Sequence, residues 1–447
     1  MKKTLLLLLA IIATAVSCSD DHRSEILKVY NWGDYIDESL LTEFETWYEQ
    51  QTGEKVKIVY QTFDINETML SKIEKGKEDY DVVCPSDYII ERMLRNDLIL
   101  PISREFTASF KTASGIDTTV VTPNYIDGNI APFIKDAFNK IDGGNKRALA
   151  YAVPYMWGTT GYLYNPKYVT REEASTWDAM KNEKFNGHIF LKDAPRDVYA
   201  QVLIYLNRDK IASGEVDMDD LMLDSSDESI AAVENYLSDM KDRIAGWEAD
   251  FGKEMMAQEK GWLNLTWSGD AVFAMENAAE SDIVLDYEVP SEGATIWFDG
   301  WVVPKYAQNI KAAEYFINFM CRPDNAIKNM DFIGYVSAVG TPEILEAMSS
   351  EDDYPETVDV SYFFSPEDTA AHLNPVQYPD LSVVQRCTLE HDWGDDTAKL
   401  LAMWSRLKGN DMSNWTIFVI AALVIAAAGI SIKYANSRRR HSSRKRR

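Results

Sequence analysis

Residues Ile26–Glu45 read ILKVYNWGDYIDESLLTEFE, and this stretch decides the fold. Its first seven residues form a mostly apolar extended run, the pattern of a strand covered on both faces. The segment WGDY then interrupts before a helical pattern begins. That pattern sets Leu40, Leu41, Phe44, Trp47 and Tyr48 on one face and stops at Gly53, which suits the left-handed turn that ends many helices. The alternation repeats. KVKIVYQTF is a second strand, Asn66 is the expected cap of a helix carrying Met69, Leu70 and Ile73, and DVVCPS is a third strand feeding DYIIERMLRNDLIL. Strand–helix–strand units of this kind close as right-handed crossovers, giving a parallel-rich α/β sheet with helices on both faces. Such sheets bind ligands beyond the carboxyl ends of their strands. Trp32, Asp34, Tyr35, Ser86, Asp87 and Tyr88 are therefore expected on one rim.

The remainder continues in the same manner. ALAYAVPYMWGTTGYLYN is extended and aromatic, FNGHIFLKDAPRDVYAQVLIYL and WLNLTWSGDAVFAMENAA each run from strand to helix, and IVLDYEVP and ATIWFDGWVVP add strands. A helical pair follows, broken at Pro323.

With 447 residues the chain has room for about two domains. Its 46% hydrophobic and 26% charged content is that of a folded protein. Acids outnumber bases by 71 to 45 for a net charge of -26, a balance that repels nucleic acid phosphates and concentrates cations.

The two ends have separate meanings. Residues 1–17 carry Lys2 and Lys3, an apolar run from Leu5 to about Ile12 and then small residues, the layout of a cleaved secretory signal. AVSC resembles a bacterial lipobox, so Cys18 is an expected lipidation site. Residues 415–432 are uncharged and span about 27 Å as a helix, which predicts a transmembrane segment. Eight bases and no acid follow in 433–447, which the positive-inside rule places in the cytoplasm. The body is accordingly expected at the periplasmic face of an inner membrane. Cys84, Cys321 and Cys387 lack metal-ligand spacing, and one disulfide among them is left open.

Strand ends in this chain pair rings with acids: Trp32 with Asp34, Tyr88 with Asp87, Trp267 with Asp270, Trp297 with Asp299. A ring face attracts a cation by roughly 0.5–2 kcal/mol, and a carboxylate adds a charge-assisted hydrogen bond. Alkyl polyamines need this combination, because their methylenes stack on rings while each ammonium needs an acid once out of water. A single tryptophan is more often a core residue. Four ring–acid pairs at strand ends are harder to attribute to packing.

The motifs YNWGDYIDESLLTEFE, TFDINETMLSKI, DVVCPSDYIIERM, VPYMWGTTGYLYN, LTWSGDAVFAMENA, IWFDGWVVP and IGYVSA occur in one order across Ile26–Gly409. In this the chain resembles the periplasmic spermidine/putrescine-binding proteins of bacterial polyamine ABC importers. The resemblance implies a two-lobed periplasmic binding protein fold of type II character, its lobes joined by hinge crossover strands around a polyamine cleft. It implies one lobe from residues 24–150 and 299–342 and another from 151–298 and 343–410. It implies partnership with a membrane permease and its ATPase, no cofactor and no enzymatic activity; the membrane contact expected through Cys18 and residues 415–432 comes from the chain ends, and a C-terminal anchor is unusual for that family.

Carried over by motif, the implied ligand contacts are Trp32, Asp34, Tyr35, Ser86, Asp87, Tyr88, Trp267, Trp297, Asp299 and Tyr335, with Asp299 as main anchor of an inner ammonium. Glu390 stands where the family has a polar contact. The segment KDAPRDV departs from the family pattern: Asp193 and Asp197 flank Arg196, but Ala194 replaces a second acid. That leaves the choice between putrescine and spermidine open, while the added anion of Glu390 inclines the expectation toward spermidine. Carboxylates among tryptophans also describe a glycoside hydrolase cleft, and the same fold could hold another cation or a sugar. Against an enzyme, the five histidines lack metal spacing, and no GxSxG or P-loop string is present.

Overall fold

The computed structural model describes residues 22–249 and 251–409. Strand β1 (Ile26–Trp32) pairs in parallel with β2 (Lys57–Phe63) along its whole length, Ile26 opposite Lys57 and Trp32 opposite Phe63. Its other edge pairs in parallel with β3 (Val82–Val83). Helices α1 (Ser39–Thr52) and α2 (Asn66–Ser71) lie in the crossovers, and α3 (Asp87–Arg95) follows β3. α1 ends as expected at Gly53, whose φ of 70° lets its N–H return to the Glu49 carbonyl.

Five further strands complete the main path: β4 (Ala152–Tyr164), β5 (Ile189–Lys192), β6 (Ile244–Glu248), β7 (Leu263–Trp267) and β8 (Ala294–Pro304). Neighbours run β2-β1-β3-β8-β4-β7-β5-β6 in a twelve-stranded sheet. Helix α4 (Pro195–Ser213) leaves the end of β5, α5 (Gly252–Ala257) follows β6, and α6 (Ser268–Ala279) continues directly from β7. The predicted pair after β8 forms as α7 (Ile310–Met320) and α8 (Pro323–Ile333), with Pro323 in the first turn of the second, where its missing N–H costs nothing. Helix α9 (Thr397–Gly409) closes the described chain.

Strands β4 and β8 are buried at every residue. They run antiparallel, Ile296 opposite Thr159 and Val302 opposite Ala152, with the register slipping between Asp299 and Gly300. These two strands pass between two hydrophobic cores. One core gathers side chains from Leu27 to Trp157 and from Ile296 to Leu389. The other gathers those from Tyr162 to Ala294, with Val376 and the α9 residues Leu400, Met403, Trp404 and Leu407. The α/β body is thus two-lobed, with the long strands as connectors. Ile344, Val360, Phe363 and Tyr378 pack in the first core, although the sequence reading placed 343–410 in the second lobe.

The transmembrane helix in the expected fold is corrected: among the described residues no helix is long and apolar enough to cross a membrane, and 415–432 lie outside them. Residues 1–17, Cys18 and the tail 433–447 also lie outside. Asn66 is the first residue of its helix rather than the cap, which is Ile65, because its buried amide is used for donating to Ser86 Oγ (3.0 Å) and Tyr88 Oη (3.1 Å). Cys84, Cys321 and Cys387 are all unbridged.

Candidate binding cleft

The WGDY segment sets the aim of a side chain. After β1 the chain turns through Asp34 at φ 49°, a left-handed conformation that side chains other than glycine adopt mainly where the turn is enforced. The turn sends Tyr35 inward, 4% exposed, edge-on to Tyr155 and Tyr335 at centroid distances of 5.5 and 4.8 Å. Tyr155 Oη anchors the turn by donating to the Tyr35 carbonyl at 2.7 Å. The Tyr35 hydroxyl donates to Asp299 Oδ2 at 2.8 Å. Trp32 stays half-buried against Phe63, with its indole N–H enclosed and unpartnered.

The second strand end is built differently. Ser86 precedes α3 and bridges to Asp299 of β8. Asp87 is buried, and its two oxygens accept from the backbone N–H groups of Tyr88 (2.7 Å) and Phe298 (3.1 Å). It therefore ties α3 to the connector strand, and burial pushes its carboxyl well above the ordinary range. Tyr88 donates to Glu67 Oε1 at 3.3 Å.

Asp299 sits at the slip in β8, where an irregularity re-aims a side chain. Burial raises its carboxyl to about 7, against the opposing pull of the Ser86 and Tyr35 hydroxyls. Its Oδ1 is enclosed with no hydrogen-bond partner of sound geometry. Trp297 lies two residues earlier and packs 5.8 Å from Tyr335. Glycines make room for both rings. A Cβ at Gly158 would fall 2.5 Å from the Trp297 ring, and one at Gly269 would fall 2.2 Å from the Tyr335 ring.

The opposite wall comes from β5, α4, β7 and α6. Lys192 is buried and forms ion pairs with Asp270 (2.6 Å) and Glu248 (3.1 Å), its ammonium 4.4 Å from the centroid of Trp267. Burial alone would raise the Asp270 carboxyl, but Lys192, Lys253 and the Tyr335 hydroxyl hold it below its ordinary value. Trp267 donates its indole N–H to Asp197 Oδ1 at 2.8 Å. Sequence reading had joined Trp267 with Asp270; in the fold Trp267 serves Asp197, and Asp270 has its own internal cation.

Arg196 is stacked between Tyr88 and Trp393, 5.0 and 4.3 Å from their centroids, and none of its guanidinium nitrogens makes a hydrogen bond. Near it Glu390 is buried, its Oε1 unpartnered, and its carboxyl is raised well above the usual range by burial and by Asp197, Asp87 and Glu67.

These walls enclose a cleft of about 620 Å³. All thirteen residues expected from the motifs line it: Trp32, Asp34, Tyr35, Ser86, Asp87, Tyr88, Asp193, Asp197, Trp267, Trp297, Asp299, Tyr335 and Glu390. They do not all present free groups. The Asp193 carboxylate is taken by Trp404 Nε1 (3.0 Å) and by Lys408, so its charge is directed to α9. The Asp34 carboxylate is paired with Lys253 at 3.3 Å. Sequence reasoning missed Glu67, Lys192, Arg196 and Lys253, which also line the cleft. Glu67 could have been found, since it follows Asn66 at the head of a helix beyond a strand end. The cations gave no such signal.

An acid- and ring-lined cleft between two α/β cores joined by long strands defines a two-lobed solute-binding protein. The chain belongs to the bacterial extracellular solute-binding proteins, whose family model matches residues 43–353. The spermidine/putrescine-binding periplasmic protein of Escherichia coli is 28% identical over 339 residues, covering 75% of this chain and 84% of that one. The E. coli putrescine-binding periplasmic protein PotF is 29% identical over 325 residues, covering 70% and 77%. Among solved structures, the spermidine/putrescine ABC transporter substrate-binding protein PotD of Streptococcus pneumoniae, in complex with calcium and HEPES, superposes with a TM-score of 0.59. It is 28% identical and covers 86% of this chain and 98% of that one. The resemblance drawn from the motifs is thus found by direct comparison.

Proposed function

We propose that this protein captures polyamines outside the cytoplasmic membrane and delivers them to an ABC importer permease. Asp299 carries the proposal. A buried carboxylate with one oxygen satisfied by Tyr35 and the other unpartnered is costly, and an ammonium group removes that cost. Rings at Trp32, Trp267 and Trp297 offer surface to the methylenes between charges. Asp197, Glu67 and Glu390 supply negative charge for a second ammonium.

The lobes are taken to be residues 24–150 with 299–342, and 151–298 with the segment from 343 to 410 distributed between the cores. Closure of one lobe on the other would bring the Asp299 wall against the Asp197 wall and exclude water, which strengthens every ion pair inside. The names of the relatives support this reading, as does the acid-rich lining.

Isothermal titration with putrescine, spermidine and a neutral oligosaccharide tests it. Saturable heat is expected with at least one amine and none with the sugar. Heat from the sugar alone would refute the proposal.

A further inference from the structure

The charges of the cleft are matched unevenly. Asp270 has Lys192 at 2.6 Å, and Asp193 has Lys408. Asp34 has Lys253, at 3.3 Å. This third pair differs from the others in crossing the cleft: Asp34 follows β1 on the first core, whereas Lys253 lies in α5, whose Met256 belongs to the second core. It is also asymmetric. The Lys253 side chain is 6% exposed and the Asp34 side chain 76%, so the ammonium is held inside and the acid stands at the mouth. The Lys253 ammonium lies 5.0 Å from the Phe273 ring, as a ligand cation would.

What remains unmatched lies elsewhere. Asp299 has its open oxygen, and Asp197, Glu67 and Glu390 line the same cleft, where Asp197 and Glu67 add to the burial that raises the Glu390 carboxyl. Arg196, stacked on Tyr88 beside that group, offsets part of its charge. The extra anion of Glu390 is therefore already partly answered from within the protein. Two places for a ligand cation remain, one at Asp299 and one at the Asp197 group.

We infer that Lys253 is a specificity-determining residue: a resident ammonium that fills the Asp34 end of the cleft and makes it select short diamines of the putrescine class over triamines. The inference rests on the polyamine reading above. A third ammonium that reaches the Asp34 end of the cleft meets the Lys253 ammonium and must displace it from Asp34, which lowers affinity through like-charge repulsion.

Titration of the full chain with putrescine and spermidine tests this in four forms of the protein: wild type, Lys253→Met, Lys253→Arg, and Lys253→Met with Asp34→Asn. Wild type is expected to bind putrescine more tightly. Lys253→Met, which keeps an apolar stem, should strengthen spermidine binding by roughly tenfold or more while putrescine changes by less than about threefold. Lys253→Arg should keep the wild-type order, and adding Asp34→Asn should abolish the spermidine gain.

Tighter spermidine binding by wild type, or an equal shift of both amines in Lys253→Met, would overturn the role of Lys253 and leave the polyamine reading standing. Should Lys253→Met fail to fold, the wild-type order and that of Lys253→Arg still decide. Binding of neither amine by wild type would instead defeat the polyamine reading, and this inference with it.

Discussion

Tyr35 Oη donates to Asp299 Oδ2 at 2.8 Å between residues 264 apart in sequence, joining the turn after the first strand to the slip in the last connector. The partner oxygen Oδ1 is enclosed and unmatched. Buried polar atoms without partners also occur in the cores, at the indole N–H groups of Trp157 and Trp301, but Oδ1 belongs to a carboxylate that lines the cleft, where a cation can reach it.

Asp299→Asn should weaken polyamine binding by about 2–5 kcal/mol, because it removes a desolvated charge opposite an ammonium. It should leave the ligand-free protein at least as resistant to heat, since an uncompensated buried carboxylate is lost as well. Titration calorimetry and thermal melting read the two effects separately.

The pH dependence follows from the raised carboxyls. Asp299 ionises at about 7 in the fold against an ordinary 3.8, so the folded state holds a proton more tightly than the unfolded chain. Its contribution to stability is complete below the ordinary value and is lost as pH rises toward about 7. Asp87 and Glu390, raised by burial, act in the same direction. Polyamine affinity should move oppositely, rising through neutrality as Asp299 becomes charged. Thermal melts at about pH 5.5 and about pH 8 should show a larger stabilisation by putrescine at the higher value.

Lys192→Met should destabilise the fold by roughly 3–5 kcal/mol, because Asp270 and Glu248 would be left as adjacent buried acids. Denaturant unfolding measures this directly. A loss below about 1 kcal/mol would mean that water or a rearranged side chain replaces the ammonium.

Gly158→Ala should displace the Trp297 ring, whose nearest atom would stand 2.5 Å from the new methyl, with Ser268 Oγ at 2.4 Å. A cost of about 1–3 kcal/mol in stability is expected, with a matching change in tryptophan fluorescence on ligand addition.

Much of this was legible in the chain itself. Period and apolar runs gave β1, α1 and the parallel pairing, and the strand-end rule brought Trp32, Tyr35, Ser86 and Tyr88 to one rim. Asp299 was legible through the same ring–acid pairing. The internal cations were not. Lys192 reads as the polar end of a strand, and Lys253 as a surface lysine in a short helix. Only the fold brings Lys192 to Asp270, 78 residues away, and Lys253 to Asp34, 219 residues away. The partners of Asp193 were illegible for the same reason: Trp404 and Lys408 belong to the last described helix, and no local pattern announces that contact.

The most direct measurement is a structure of the protein crystallised with putrescine. An ammonium nitrogen is predicted within about 3 Å of Asp299 Oδ1, with the carbon chain against the Trp297 and Trp267 rings. An amine bound away from Asp299, or a closed cleft in which Oδ1 remains unpartnered beside the ligand, would contradict it.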